Sequence, residues 1–335
     1  MRADTNAPAP LCYCEQMYDR NLFTMPACLM SFPGRFILLS AVIGGAALYA
    51  PGYACAQDLE PRAYANAPVG MNFILVGYQY SNGALLFDPA LPITDANADI
   101  NLGLIGYVHT LGIAGHSAKV GALLPVADLS GDGYLSGVYR SRVTSGMADP
   151  SFYFSINFHG APALSFKEFK DYRQDTIVGF TFKVTAPLGV YEPSKLINIG
   201  TNRWSFKPEF GISRAIGRWV FEGAASAVFY TDNNDFDTGK TRQQDPIYSA
   251  QGHVIYTFPG NKWMAVGATY YTGGRTRVDG IRKNDLQDNW RLGFTAAFPV
   301  SRQHAIKVIG SGGVSTRTGT DYDSIALVWQ YRWTQ

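Results

Sequence analysis

Beyond Pro68 the chain alternates apolar and polar residues with a period of two, and no run of helical period interrupts it. The last segment is the clearest. Ile325, Leu327, Trp329, Tyr331 and Trp333 share one face, and Ser324, Ala326, Val328, Gln330 and Arg332 the other, because successive side chains of a strand point to opposite faces. The same division sets Trp204, Phe206, Phe210 and Ile212 against Ser205, Lys207, Glu209 and Ser213. It sets Phe152, Phe154, Ile156 and Phe158 against Tyr153, Ser155 and Asn157, and Val178, Phe180, Phe182 and Val184 against Gly179, Thr181, Lys183 and Thr185. Carried along the chain, the pattern predicts twelve strands, near 69–80, 98–109, 117–127, 149–158, 174–186, 203–213, 218–231, 246–258, 262–272, 288–299, 303–314 and 322–333. Each has about the ten residues that cross a bilayer at a tilt. The first, third and ninth alternate poorly.

The connections carry a second pattern. Odd connections are long and rich in Asp, Asn, Gly and Pro: about 81–97, 128–148, 187–202, 232–245, 273–287 and 315–321. Even connections are mostly short: Leu111–His116, Arg214–Gly217, Pro259–Asn261 and Val300–Arg302. One exception, about 159–173, contains Phe166-Lys-Glu-Phe-Lys170. Short periplasmic turns and long external loops are the signature of an outer-membrane barrel with both termini inside. An even strand number suits such a barrel, and closure leaves no open edge for lipid to penalise. Trp219, Trp263 and Trp333 fall at periplasmic strand ends and Trp204 and Trp290 at outer ends, where aromatic rings form interfacial girdles. The expected fold is therefore an all-β, transmembrane antiparallel barrel of about twelve strands, occupying 68–335. Phe180, Phe206 and Trp329 are expected to face lipid.

Composition agrees. Charged residues make up 16% and aromatics 14%, yet mean hydropathy is −0.05, the mixture that alternating lipid-facing and lumen-facing residues produce. No apolar stretch reaches the roughly twenty residues of a membrane helix. Net charge is +2 and the cations are scattered, apart from Arg140–Arg142, Arg275–Arg277 and Arg282–Lys283, which read as solvated loops, so nucleic acid is not an expected partner. Arg35, the apolar run 36–50 and Ala54-Cys55-Ala56 compose an export leader cut after Ala56, leaving 57–67 as a periplasmic segment. The thirty residues upstream read unlike a leader, which makes Met30 the expected translation start. Cys12, Cys14, Cys28 and Cys55 all precede the cut, so the exported chain avoids stray disulfides. Tyr53 is too bulky for Cys55 to follow a lipobox.

Several short motifs carry a family resemblance. They are Ala148-Asp149-Pro150 opening a strand, Thr185-Ala-Pro-Leu-Gly189-Val-Tyr191 ending another, Asn198-Ile-Gly-Thr-Asn-Arg-Trp204, Lys207-Pro208-Glu209 and Tyr230-Thr-Asp-Asn-Asn-Asp235. In their order the chain resembles the outer-membrane family of meta-pathway phenol-degradation proteins, labelled transporters. The resemblance spans about 68–333. It implies an outer-membrane barrel linked to aromatic catabolism and to uptake of apolar substrates, and it implies no catalytic residues.

Alternation places Lys183, Lys207, Glu209 and Glu222 inward on three successive strands, and Arg291, Lys307 and Arg332 inward on the last three. Such charges form either a polar track for a permeating solute or an ion-pair network that fills the lumen. The network is the better reading for Lys207, Glu209 and Glu222. His109, His116, His159, His253 and His304 lie at no metal-ligand spacing, and Asp128-Leu-Ser-Gly-Asp132-Gly133 reads as a solvated turn. Neither a metal nor a cofactor is expected. Gln79-Tyr-Ser81-Asn-Gly83 is similar to the motif of an outer-membrane phospholipase, but Gln79 stands where the general base should be, which argues against catalysis. The reading is a monomeric, passive channel for small apolar or aromatic solutes, embedded in outer-membrane lipid and placed there by the barrel insertion machinery. The rivals are a structural or adhesin-like barrel with a plugged lumen and a barrel enzyme such as a phospholipase.

Overall fold

The structure is a computed structural model that describes residues 60–84, 93–195, 197–318 and 321–334. The expected leader, its cleavage site and all four cysteines lie outside the described residues. Strand β1 (Met71–Ala84) is followed by β2 (Ile93–Ile113), β3 (His116–Leu135), β4 (Val138–Met147) and β5 (Ser151–His159). Then come β6 (Thr176–Thr185), β7 (Ser205–Ile216), β8 (Trp219–Tyr230), β9 (Asn233–Phe236), β10 (Lys240–Gln244) and β11 (Ile247–Thr257). The chain ends with β12 (Trp263–Gly273), β13 (Thr276–Val278), β14 (Ile281–Arg282), β15 (Gln287–Pro299), β16 (His304–Thr316) and β17 (Asp321–Thr334).

Antiparallel neighbours run β1–β2–β3, then β5 to β8, β11, β12 and β15 to β17, and β17 returns to β1 from Met71↔Thr334 to Ala84↔Asp321. The sheet therefore closes. Strands β4 and β5 share one position, because β3 pairs with β4 through Val126–Leu135 and with β5 through Ala118–Leu123. Counting that pair once, the barrel has twelve strands. The break between them is Ala148-Asp149-Pro150. A second interruption lies at Pro208, which has no N–H to give: the β7–β8 ladder skips from Phe206↔Phe229 to Glu209↔Ser226.

Two sequence expectations change here. Strands β2 and β3 run to 21 and 20 residues, so Asp128–Gly133 is extended strand rather than a turn, and the connection expected at 128–148 is mostly the β3–β4 hairpin. The connections near 232–245 and 273–287 hold a separate four-stranded sheet, β14-β13-β10-β9.

Exposure follows the pleat. Phe210, Val266 and Ile105 are 60%, 59% and 59% exposed, while Glu209, Ala265 and Leu102, on the opposite face of the same strands, are buried. An apolar outer belt of this kind is stable only against lipid. Phe180, Phe206 and Trp329 lie on it, and Phe180 and Phe206 meet Phe210 and Phe182 at 4.9 and 6.4 Å. Trp204, Trp219 and Trp290 are outward and exposed, and Trp333 stacks on Tyr331 at 5.5 Å. Trp263 departs from the expected girdle. It is 8% exposed and faces inward, with Arg62 over its ring at 5.2 Å, while Met264 and Val266 take the lipid side. The run Trp-Met-Ala-Val is apolar at every position, so its sequence left the facing undetermined.

Candidate functional site: an occluded, two-walled lumen

The inner surface has two chemically different walls. On β1, β2, β3 and β17 the inward positions include Leu75, Leu104, Leu123 and Val328, all half-buried. They form one patch: a Cβ at Gly106 would stand 2.9 Å from Leu123 and 3.3 Å from Leu75, and one at Gly77 would stand 3.3 Å from Val328. The opposite wall is polar. Hydroxyls pair across it, Thr181 with Ser155 at 2.9 Å and Ser226 with Ser249 at 2.6 Å. Lys207 and Glu209, 5% and 8% exposed, form an ion pair at 3.2 Å.

Chain segment 60–70 lies between these walls, inside the barrel rather than beyond its end as the sequence suggested. Seven strands hold it, β2 through the Thr110 hydroxyl, which donates to the Pro68 carbonyl at 2.5 Å. The Lys119 ammonium donates to the carbonyls of Ala63 and Ala65 at 2.9 and 2.8 Å. Asn157 donates to the Tyr64 carbonyl at 3.0 Å, and the Tyr64 hydroxyl donates to Glu209 Oε1 at 3.0 Å. Glu222 accepts the Arg62 N–H at 2.7 Å and the Ser213 hydroxyl at 2.8 Å. The Arg62 guanidinium reaches Thr257 Oγ1 at 2.5 Å, and Lys307 reaches Glu60 at 2.5 Å. The cavity beside the segment, bounded by Tyr64, Glu222, Gln251 and His253, measures about 10 Å³, room for roughly one water.

The exceptional connection between β5 and β6 explains its length here. It folds beneath the mouth and fixes the segment from below, with Val69 N–H donating to Leu164 O at 2.8 Å and Asn66 Nδ2 to Pro162 O at 3.1 Å. Buried Ala161 accepts the Ser117 N–H at 3.0 Å, tying the connection to β3.

At the other end, the connection from Thr185 to Ser205 folds inward. Ile197 and Ile199 pack on the cluster of Ala98, Ile100, Leu102, Ala127, Leu129 and Tyr322. Asp149 organises this connection, accepting from Gly189 N–H at 2.8 Å, Thr201 N–H at 2.8 Å and Thr201 Oγ1 at 2.6 Å. Gly189 and Gly200 make the close approach possible, since a Cβ at Gly200 would stand 2.7 Å from the Gly189 carbonyl oxygen.

Of the charges placed inward from sequence, Lys207, Glu209, Glu222 and Lys307 converge on segment 60–70. Lys183 faces the lumen opposite Lys207 in the β6–β7 register. Arg291 is 2% exposed and lies apart, its guanidinium 3.7 Å from the Tyr322 ring centroid and 3.2 Å from Ser311 Oγ. Arg332 is exposed at the mouth, where β17 is still paired with Phe73 of β1, and its side chain turns to the β15–β16 connection, donating to the Arg302 carbonyl at 2.8 Å. Ser81 is fully buried on the inner face, where it accepts from Gln79 at 3.3 Å, and so does not offer the outer-wall nucleophile of a barrel phospholipase. Sequence reasoning missed Lys119, Tyr64, Arg62 and Asp149. Asp149 alone had a signal, its place in a family motif.

A closed twelve-stranded sheet with an apolar outer belt and a filled, partly charged lumen defines a transmembrane β-barrel of the outer-membrane kind. Residues 80–329 match the family described as "Putative MetA-pathway of phenol degradation", well over half of the chain, and the protein belongs to that family. An outer membrane channel from Pseudomonas putida F1 shares the fold, with a TM-score of 0.71 and 22% identity, over 82% of this chain and 100% of that one. The transport unit of the autotransporter AIDA-I from Escherichia coli superposes with a TM-score of 0.49 and 10% identity, over 82% of this chain and 92% of that one. No curated protein sequence matches the chain.

Proposed function

We propose that the protein is a passive outer-membrane channel of a Gram-negative bacterium, exported by a leader cut after Ala56, that admits small solutes with apolar or aromatic bodies. The observation that carries this reading is the inner patch of Leu75, Leu104, Leu123 and Val328. A lumen filled only for stability has no need of half-exposed leucines, whereas a path for apolar solutes does. The family's description, the channel from Pseudomonas putida and the placement of Ser81 all favour transport over catalysis.

In this reading segment 60–70 is a stopper that must move before solute passes. The protein works as a monomer, and its regular C-terminal strand guides the insertion machinery. Planar-bilayer recordings of the mature chain and of a variant lacking residues 57–67 test it. The full chain should conduct weakly and the deletion variant strongly. A deletion variant that is folded, by heat-modifiable migration, yet silent would reject the channel and leave the structural barrel standing. N-terminal sequencing of outer-membrane material should begin at Gln57.

A further inference from the structure

We propose that the pocket filled by Tyr64 is a binding site for phenols, and that Tyr64 keeps the barrel shut by occupying it. This rests on reading segment 60–70 as a displaceable stopper. The pocket has three parts. Its floor is the backbone of Gly179 and Gly211, which face each other across β6 and β7. A Cβ at Gly179 would stand 2.6 Å from the Tyr64 ring, and one at Gly211 would stand 2.0 Å from it, so any side chain at either position would occupy the ring's place. Its rim is apolar: Tyr64, 3% exposed, packs with Ala161 and Ile177, and Ala224 lies against them. Its far end is a carboxylate. Glu209 Oε1 accepts the phenolic hydroxyl at 3.0 Å, and Glu209 Oε2 lies 3.2 Å from the Lys207 ammonium.

A flat floor, an apolar rim and one charge-compensated acceptor describe a site for a ring that carries a hydroxyl donor. A methylarene would fill the floor and rim but leave Glu209 without its donor, and sites built around a hydroxyl reject analogues that lack it. An arene carboxylate would meet Glu209 as a like charge. Phenols themselves are neutral near pH 7, as the tyrosine side chain is. Tyr64 competes from within the same chain, at an effective concentration on the order of millimolar, so an outside phenol has to approach that concentration to displace it. The stopper would then yield to a solute that resembles its own side chain.

The test uses the mature barrel in detergent, with Tyr64→Gly vacating the pocket. The probes are 4-methylphenol, which reproduces the tyrosine side chain, toluene and 4-methylbenzoate. Binding is followed by saturation-transfer NMR, and the wild type corrects for partition into detergent. We expect 4-methylphenol to bind Tyr64→Gly about tenfold or more tightly than wild type, since the internal competitor is gone. Toluene and 4-methylbenzoate should bind the variant at least about tenfold more weakly than 4-methylphenol. Adding Gly211→Val should abolish the gain, and Gly179→Val serves should the first double variant fail to fold. Equal binding of 4-methylphenol to wild type, Tyr64→Gly and the double variant overturns the proposal, as does toluene binding as tightly as 4-methylphenol. The readout needs no conduction: a phenol site in a barrel that never conducts would sink the channel, and a conducting barrel without the site would sink the phenol pocket alone.

Discussion

Lys119→Met isolates the hold of the barrel wall on segment 60–70. Methionine matches the lysine stem in length and apolar character but has no donor. The carbonyls of Ala63 and Ala65, reached by the ammonium at 2.9 and 2.8 Å, would lose that partner. A hydrogen bond to a charged group is worth about 1.5–3 kcal/mol, and removing a buried ammonium returns part of its desolvation cost. Taking the low end for both bonds gives about 3 kcal/mol, a factor of roughly a hundred in the ratio of released to seated segment. The segment carries its own reporter, because Arg62, whose guanidinium lies over Trp263 at 5.2 Å, becomes a trypsin site once it leaves the lumen. Cleavage tracks the released population when release and reseating are fast. Trypsin should therefore cut behind Arg62 about a hundredfold faster in the folded Lys119→Met barrel than in wild type, with the site identified by mass spectrometry. Equal rates, in protein that still migrates as a folded barrel, would refute the assignment of Lys119 as an anchor of the segment.

Three further outcomes are expected. Asp149→Ala removes three hydrogen bonds at a partly exposed site and should loosen the Thr185–Ser205 connection by about 2 kcal/mol, seen as faster cleavage by protease added to whole cells; an unchanged rate would detach Asp149 from that role. Phe210→Arg should destabilise the barrel in lipid by about 2–4 kcal/mol in urea unfolding if it lies near the bilayer midplane, and Ser249→Arg on the inner face by much less; equal losses would mean that the faces are exchanged. Removing Tyr331–Gln335 takes pairing partners from Met71 to Ile74, opens the β1–β17 seam and should leave protease-sensitive chain in the periplasm, whereas loss of Thr334 and Gln335 alone should be tolerated; outer-membrane insertion of the longer truncation would contradict β17 as the closing strand.

The barrel was legible because lipid imposes a strict rule on one face of every strand. Charges could not occupy that face, so Lys207 and Glu209 fell inward from the pattern alone, and the alternation of loop length separated the two ends of the barrel. What lies inside the lumen obeys no such rule. Segment 60–70 has no period, and its anchors come from β2, β3, β5, β7, β8, β11 and β16, separated by up to 247 residues in the chain. Only closure of the sheet brings Lys119, Asn157, Glu209 and Glu222 around one short stretch. Asp149 met Gly189 and Thr201 in the same way, across separations that pattern cannot bridge. Asp128–Gly133 misled for a local reason. Its Asp and Gly residues favour turns, but they lie where β3 rises past the outward apolar residues Leu124 and Val126, and an exposed strand accepts polar side chains.

The three strands with the weakest alternation carry a different lesson. The first strand has Ile74 and Val76 outward with Leu75 between them, and the third has Leu124 and Val126 outward with Leu123 inward. The ninth places Met264 and Val266 against lipid and Trp263 and Ala265 inside. Period-two alternation reports a difference between two solvents, and it fades where both sides of the wall are apolar. In a barrel the outer solvent is hydrocarbon, so a strand without alternation is one whose lumen side is also apolar. In the first and third strands that side is the leucine patch opposite Lys207 and Glu209; in the ninth it is the seat of Arg62. The three strands that read worst as membrane strands are thus ones whose lumen side is also apolar, the first and third along the leucine patch and the ninth beside Arg62.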